Sequence, residues 1–186
     1  MRNANTVEKP GITYILDGEH GQEKRVITRI KNHNINDIRS GINYLLEKAS
    51  QDEEVRQFAI QITTGEPDKI AAIYDWVKTN VQYIPDPIGI EDEIELFISP
   101  SRMIRNYNQE RPIAGDCDDH SLLSTALYRS IGIPSNVVIL DTKGEGYDHA
   151  ISEVYSEKLK KYVTVDTTVD YPLGWEFPYK SKIVVK

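Results

Sequence analysis

Apolar residues in the stretch NINDIRSGINYLLEKAS recur at helical spacing, with Ile35, Ile38, Ile42, Leu45, Leu46 and Ala49 on one face. The segment DEEVRQFAIQIT repeats the pattern with Val55, Phe58, Ala59 and Ile62. Its opening acids suit a helix N-terminus, and Gly65 marks its end. A third helix is predicted over EPDKIAAIYDWVKTNVQY, with Pro67 at the first helical position and Ile70, Ile73, Tyr74 and Val77 on one face. It stops at YIPDP, where two prolines enforce extended backbone. Ahead of the helices, GITYILDG and EKRVITRIKN read as two short strands of a hairpin. Behind them, the acid-rich GIEDEIELFISP reads as a solvated loop leading to a short helix around Met103 and Ile104.

The pattern becomes chemically informative at AGDCDDHSLLSTALYRSIGIP. Leu122, Leu123, Ala126 and Leu127 form an apolar stripe. At about 100° per residue, Cys117 lies opposite the centre of that stripe, beside Ser121 and Ser124. A cysteine used as core filler belongs on the stripe, whereas this one sits off it in the first turn. Unpaired backbone N–H groups and the helix dipole favour a thiolate there. Asp116, Asp118 and Asp119 oppose it, because nearby carboxylates disfavour a further negative charge. A nucleophile at Cys117 therefore needs an imidazolium close by.

Two later segments, YDHAISEVYS and KKYVTVDTT, alternate with period two around SEKL. Pairing Tyr155 with Lys160 across a four-residue loop sets Glu153 opposite Tyr162, Ile151 opposite Thr164 and His149 opposite Asp166. Directly opposed residues have Cβ atoms about 4.5–5.5 Å apart, close enough for a carboxylate to hold an imidazole. Ala150, Ser152 and Val154 then share the other face with Val163 and Val165. The expected geometry turns Nδ1 of His149 toward Asp166 and the other ring nitrogen toward Cys117. Cys117, His149 and Asp166 together supply a nucleophile, a base and an orienting acid. For the oxyanion, the Cys117 backbone N–H is one candidate donor, and Gln109 in the preceding loop is another. His120, three residues beyond the cysteine, reads as a packing residue whose removal matters little. Trp76 and Tyr83 read as core, and Trp175 either caps the cleft or packs the C-terminal segment, packing being the preferred reading. His20 and His33 read as surface residues.

Composition narrows the function classes. With 29 acids against 22 basic residues the formal charge is −7, which argues against generic nucleic-acid binding. No apolar run approaches the roughly 20 residues of a membrane span, and MRNANTVEKPG lacks the apolar segment of a signal peptide. A single cysteine can form neither an internal disulfide nor a Cys-based zinc site. No cofactor or metal is expected. The 186 residues suit one domain, divided here into an N-terminal hairpin appendage (1–33) and a main domain (34–186).

The ordered motifs GDCDDHSLLSTALYRSIGIP, YDHAISEVY and KKYVTVDTT resemble the transglutaminase-like branch of the papain-like cysteine enzymes. The upstream IYDWVKTNVQYIPDP is similar to the helix and Tyr-containing segment preceding the cysteine in that family, so the likeness spans about residues 67–170. The resemblance implies an α+β fold with the cysteine on a central helix packed against an antiparallel sheet. It also implies catalytic roles for Cys117, His149 and Asp166. The expected activity is acyl hydrolysis or transfer through a thioester, by a peptidase or amidase on a peptide or protein substrate. The alternative is a structural protein, such as a phage virion component, that keeps the fold with weak or no activity and meets an assembly partner through its hairpin. The corresponding location is cytoplasmic, or the virion if phage-encoded.

Overall fold

The computed structural model describes residues 11–17, 24–28, 35–87 and 93–185. The three periodic segments form helices α1 (Ile35–Ser50), α2 (Glu53–Thr63) and α3 (Lys69–Asn80). Asp52 caps α2 by accepting from the Glu54 N–H, and Asp68 caps α3 by accepting from the Ile70 and Ala71 N–H groups. Pro67 therefore precedes the cap instead of opening the helix, because the Asp68 carboxylate satisfies the first free amides. The short helix α4 (Pro100–Asn108) does begin with proline.

Helix α5 (Cys117–Ser130) runs through the centre and is buried over nearly its whole length. Its apolar side, Leu122, Leu123, Ala126 and Leu127, is fully enclosed by the helical layer. Its small-residue side receives the main sheet, where the Thr125 and Ser152 hydroxyls meet at 2.8 Å. Ser152 Oγ also donates to the Ser121 carbonyl at 3.0 Å. Serine and threonine on that side let helix and sheet approach while the Ser121, Thr125 and Ser152 hydroxyls find partners.

That sheet is antiparallel, with β6 (Ser135–Asp141), β7 (His149–Ser156), β8 (Lys161–Val165) and β9 (Ser181–Val185) in the order β8-β7-β6-β9. The β7–β8 hairpin pairs Ser156 with Lys161, Val154 with Val163 and Ser152 with Val165. Glu153 thus opposes Thr164, not Tyr162, and the turn occupies residues 157–160, with Lys160 in the left-handed region at φ 55°. The shift relative to the expected pairing is two residues, so every side chain keeps its expected face.

The expected hairpin is present as β1 (Gly11–Asp17) and β2 (Lys24–Thr28). It is extended by β4 (Glu93–Ile98), which pairs in parallel with β1. Residues 93–95 therefore lie in a strand and not in the solvated loop expected for 91–95. The Ser99 N–H donates to the Leu16 carbonyl, and Lys48 of α1 holds the Asp17 carboxylate, tying the hairpin to the helices. A third, two-stranded sheet joins β3 (Val81–Tyr83) to β5 (Ile113–Gly115) in parallel and delivers the chain into α5. Phe58, Trp76 and Tyr107 form an edge-to-face aromatic cluster with centroids 4.8–5.6 Å apart. Tyr83 differs from the core role expected of it, being 50% exposed. His20 and His33 lie outside the described residues.

Candidate active site

Three elements converge on one spot. Cys117 is the first residue of α5 and is half-buried, with Asp116 as the helix cap accepting from the Asp118 N–H. His149 opens β7, and Asp166 follows directly on the last residue of β8. The imidazole Nε2 lies 2.8 Å from Asp166 Oδ2, with both side chains largely withdrawn from solvent. The other carboxylate oxygen accepts from the Thr168 N–H at 3.0 Å and from its hydroxyl at 2.7 Å.

The ring nitrogen facing the acid is thus Nε2, correcting the Nδ1 orientation expected from direct opposition. The register explains it. Continuing the observed pairing sets Asp166 opposite Ile151, so it approaches His149 along the diagonal. Diagonal neighbours are about 7–8 Å apart, a gap that the distal ring nitrogen spans better than the proximal one. Phe177 packs on the imidazole with ring centroids 5.1 Å apart. Trp175 meets Phe177 edge-on and stacks on Tyr171 at 3.8 Å. The aromatic segment before β9 therefore walls the histidine, a role that only the aromatic density of YPLGWEFPY could have signalled in the sequence.

Cys117 and His149 line one cavity of about 230 Å³, together with Glu95 of β4 and Asp118. Burial pushes the Cys117 thiol up to about 12, and the Asp116, Glu95 and Asp166 charges add to this, against a smaller opposite pull from the Ala150 N–H. For Asp166, burial alone would raise the pKa. The His149 hydrogen bond and charge, with the two Thr168 contacts, outweigh it and hold the carboxyl below its usual value. Asp118 moves the opposite way. Burial, a hydrogen bond donated by its neutral form to Glu95 and the surrounding carboxylates raise it well above the normal range.

Residues 55–167, a span that includes Cys117, His149 and Asp166, match the family model of the transglutaminase-like superfamily. The chain belongs to that superfamily. No curated protein matches it. Among solved structures, a candidate protease from Parabacteroides distasonis is 12% identical with a TM-score of 0.51, covering 83% of this chain and 35% of that one. A candidate cysteine protease from Cytophaga hutchinsonii is 23% identical with a TM-score of 0.46, covering 69% and 42%. LapG of Legionella pneumophila is 16% identical with a TM-score of 0.44, covering 69% and 71%. The chain spans less than half the length of the first two of these structures.

Other residues of the transglutaminase-like domain fall into place around this centre. Gln109 is the exposed C-cap of α4 and does not line the cavity beside Cys117. The Cys117 backbone N–H belongs to the first turn of α5, whose amides have no intrahelical acceptor. His120 is only 2% exposed, and its Nδ1 lies 2.9 Å from the Thr167 hydroxyl, next to Asp166. Burial drives its pKa down to about 4, which keeps it neutral. Tyr83 sits beside Gly115 across the β3–β5 pairing, its ring tilted against His120 at 6.2 Å. Asp116, Asp118 and Asp119 bring carboxylate oxygens within 4.8 Å of one another, a spacing a metal ion could use and one that the sequence reading did not foresee. Of these, Asp119 Oδ1 is committed to the Ile98 N–H at 2.6 Å. Among the described residues no helix is long and apolar enough to cross a membrane.

Proposed function

We propose that the chain is a cysteine-dependent acyl hydrolase or transferase, acting on a peptide or protein through a thioester on Cys117. The observation that carries this reading is the 2.8 Å His149–Asp166 contact at the edge of a cavity that Cys117 also lines. A sheet residue without a task has no need of a buried carboxylate fixed by two further contacts.

The electrostatics favour a protonated thiol at rest. With its pKa at about 12, Cys117 is a thiol at neutral pH, so His149 takes the proton as the sulfur attacks. The C–S bond forms, the carbonyl oxygen becomes an oxyanion, and the imidazolium forms against Asp166. The oxyanion faces the first-turn N–H groups of α5, including that of Cys117. Collapse expels the amine, which receives the proton back from His149 and leaves the thioester. Water or a second amine then attacks the thioester with the same base and restores the thiol.

The test is mass-spectrometric detection of a covalent acyl adduct on Cys117 after incubation with peptide and thioester substrates. An adduct that is absent in Cys117→Ala and strongly reduced in His149→Ala supports the reading. Turnover retained by folded Cys117→Ala would remove the nucleophile from it.

A further inference from the structure

The cavity beside Cys117 has a composition that chemistry at the sulfur does not explain. Ile38 and Ile42 of α1 and Ile139 of β6 line it alongside Glu95, Asp116 and Asp118. Among the described residues, no lysine or arginine lines it. Asp118 is 6% exposed, and its Oδ1 is buried without a hydrogen-bond partner. A buried carboxylate oxygen left unpaired is costly, and it marks a place where a donor belongs. The volume of about 230 Å³ is below the ~300–1,000 Å³ of pockets that hold whole small molecules. It suits one long side chain instead.

We propose that this cavity is a subsite for a lysine or arginine side chain of the acyl substrate. The proposal rests on the thioester reading above and adds the substrate class. The isoleucines accept the aliphatic stem, and the charged end meets Glu95, Asp116 and Asp118. Tyr147, 40% exposed and also lining the cavity, adds an aromatic ring to the surroundings of that cation. The carboxylates of Asp116 and Glu95 are also those whose charge opposes ionisation of Cys117. A cation seated among them removes part of that opposition, so a basic substrate both binds and eases attack.

The experiment compares inactivation of the full chain by N-acetyl-lysine and N-acetyl-norleucine chloromethyl ketones, which share the aliphatic stem and differ in charge. Iodoacetamide serves as the probe without a side chain. The lysine reagent is expected to react roughly tenfold faster or more than the norleucine reagent, the effect of one charge-assisted hydrogen bond. That ratio should collapse toward one in Asp118→Asn. Glu95→Gln gives the same reading should the first variant fail to fold. A ratio near one in the native chain, with Cys117 still labelled by iodoacetamide, overturns the subsite and leaves the thioester reading standing. Failure of iodoacetamide to label Cys117 in the folded protein overturns the thioester reading itself, and the subsite with it. A thermal shift on adding calcium chloride that Asp118→Asn abolishes would assign the pocket to a metal ion and overturn the proposal.

Discussion

The two sides of the site are built on opposite electrostatic terms. On the sheet side, Asp166 meets an imidazole and two donors from Thr168, and its pKa is held below the usual range. On the helix side, Asp118 is buried among other acids, keeps an oxygen without a donor, and is pushed well above that range. The sheet side is complete before any substrate arrives. The helix side keeps one buried carboxylate oxygen, Asp118 Oδ1, without a donor. On the proposed reading, the pre-organised pair orients the base, while the acids beside Cys117 select for a basic substrate.

The largest effect is expected from the nucleophile. Cys117→Ala should abolish adduct formation while leaving the urea midpoint near that of the native chain. Next comes the sheet side. Asp166→Asn keeps the shape but removes the charge facing the imidazolium, and turnover should fall by about 100- to 10,000-fold. Comparable turnover in Asp166→Asn would mean that the histidine needs no anionic partner, and the contrast between the two sides would fail.

Two stability measurements probe the frame behind the site. A Cβ on Gly115 would stand 2.4 Å from the Asp119 side chain, which itself holds the Ile98 N–H. Gly115→Ala should therefore cost about 1–3 kcal/mol by overpacking, measured by urea denaturation. His120→Ala removes a buried ring and strands the Thr167 hydroxyl, at about 2 kcal/mol. That differs from the small effect its helical position suggested, because the neighbour that matters lies 47 residues away.

The smallest effect is also the sharpest test of the comparison, because the two carboxylates carry opposite pH signs. Asp166 has a depressed folded pKa, so its contribution is present above the unfolded value of about 3.9 and is lost as pH falls through the folded value. Asp118 has a raised folded pKa. Its contribution is present below about pH 3.9 and is lost as pH rises through the folded value. At neutral pH, Asp166→Asn should lower the urea midpoint and Asp118→Asn should raise it. Both differences should shrink toward acid pH. Two variants moving in the same direction at neutral pH would refute the opposition.

Much of the frame was legible in the residues themselves. Period 3.6 marked α1, α2 and α3, the charged turn before Leu122 placed Cys117 at a helix start, and period two assigned the faces of β7 and β8. Those signals are local, so they survive without knowledge of the partner. Register did not survive in the same way. A two-residue slip leaves every face unchanged, so alternation could bring His149 and Asp166 to one side but could not say which ring nitrogen would meet the acid. The parallel pairings β1–β4 and β3–β5 join strands far apart in the chain, and hydrophobic period carries no label for such partners. The same applies to Glu95 and Asp118, which come from different elements and meet only when β4 packs beside α5. The sequence by itself determined the elements, their faces and the identity of the chemical groups. Only the tertiary structure decided which of those groups were satisfied and which were left wanting a partner, because hydrogen-bond satisfaction depends on neighbours that local period does not specify.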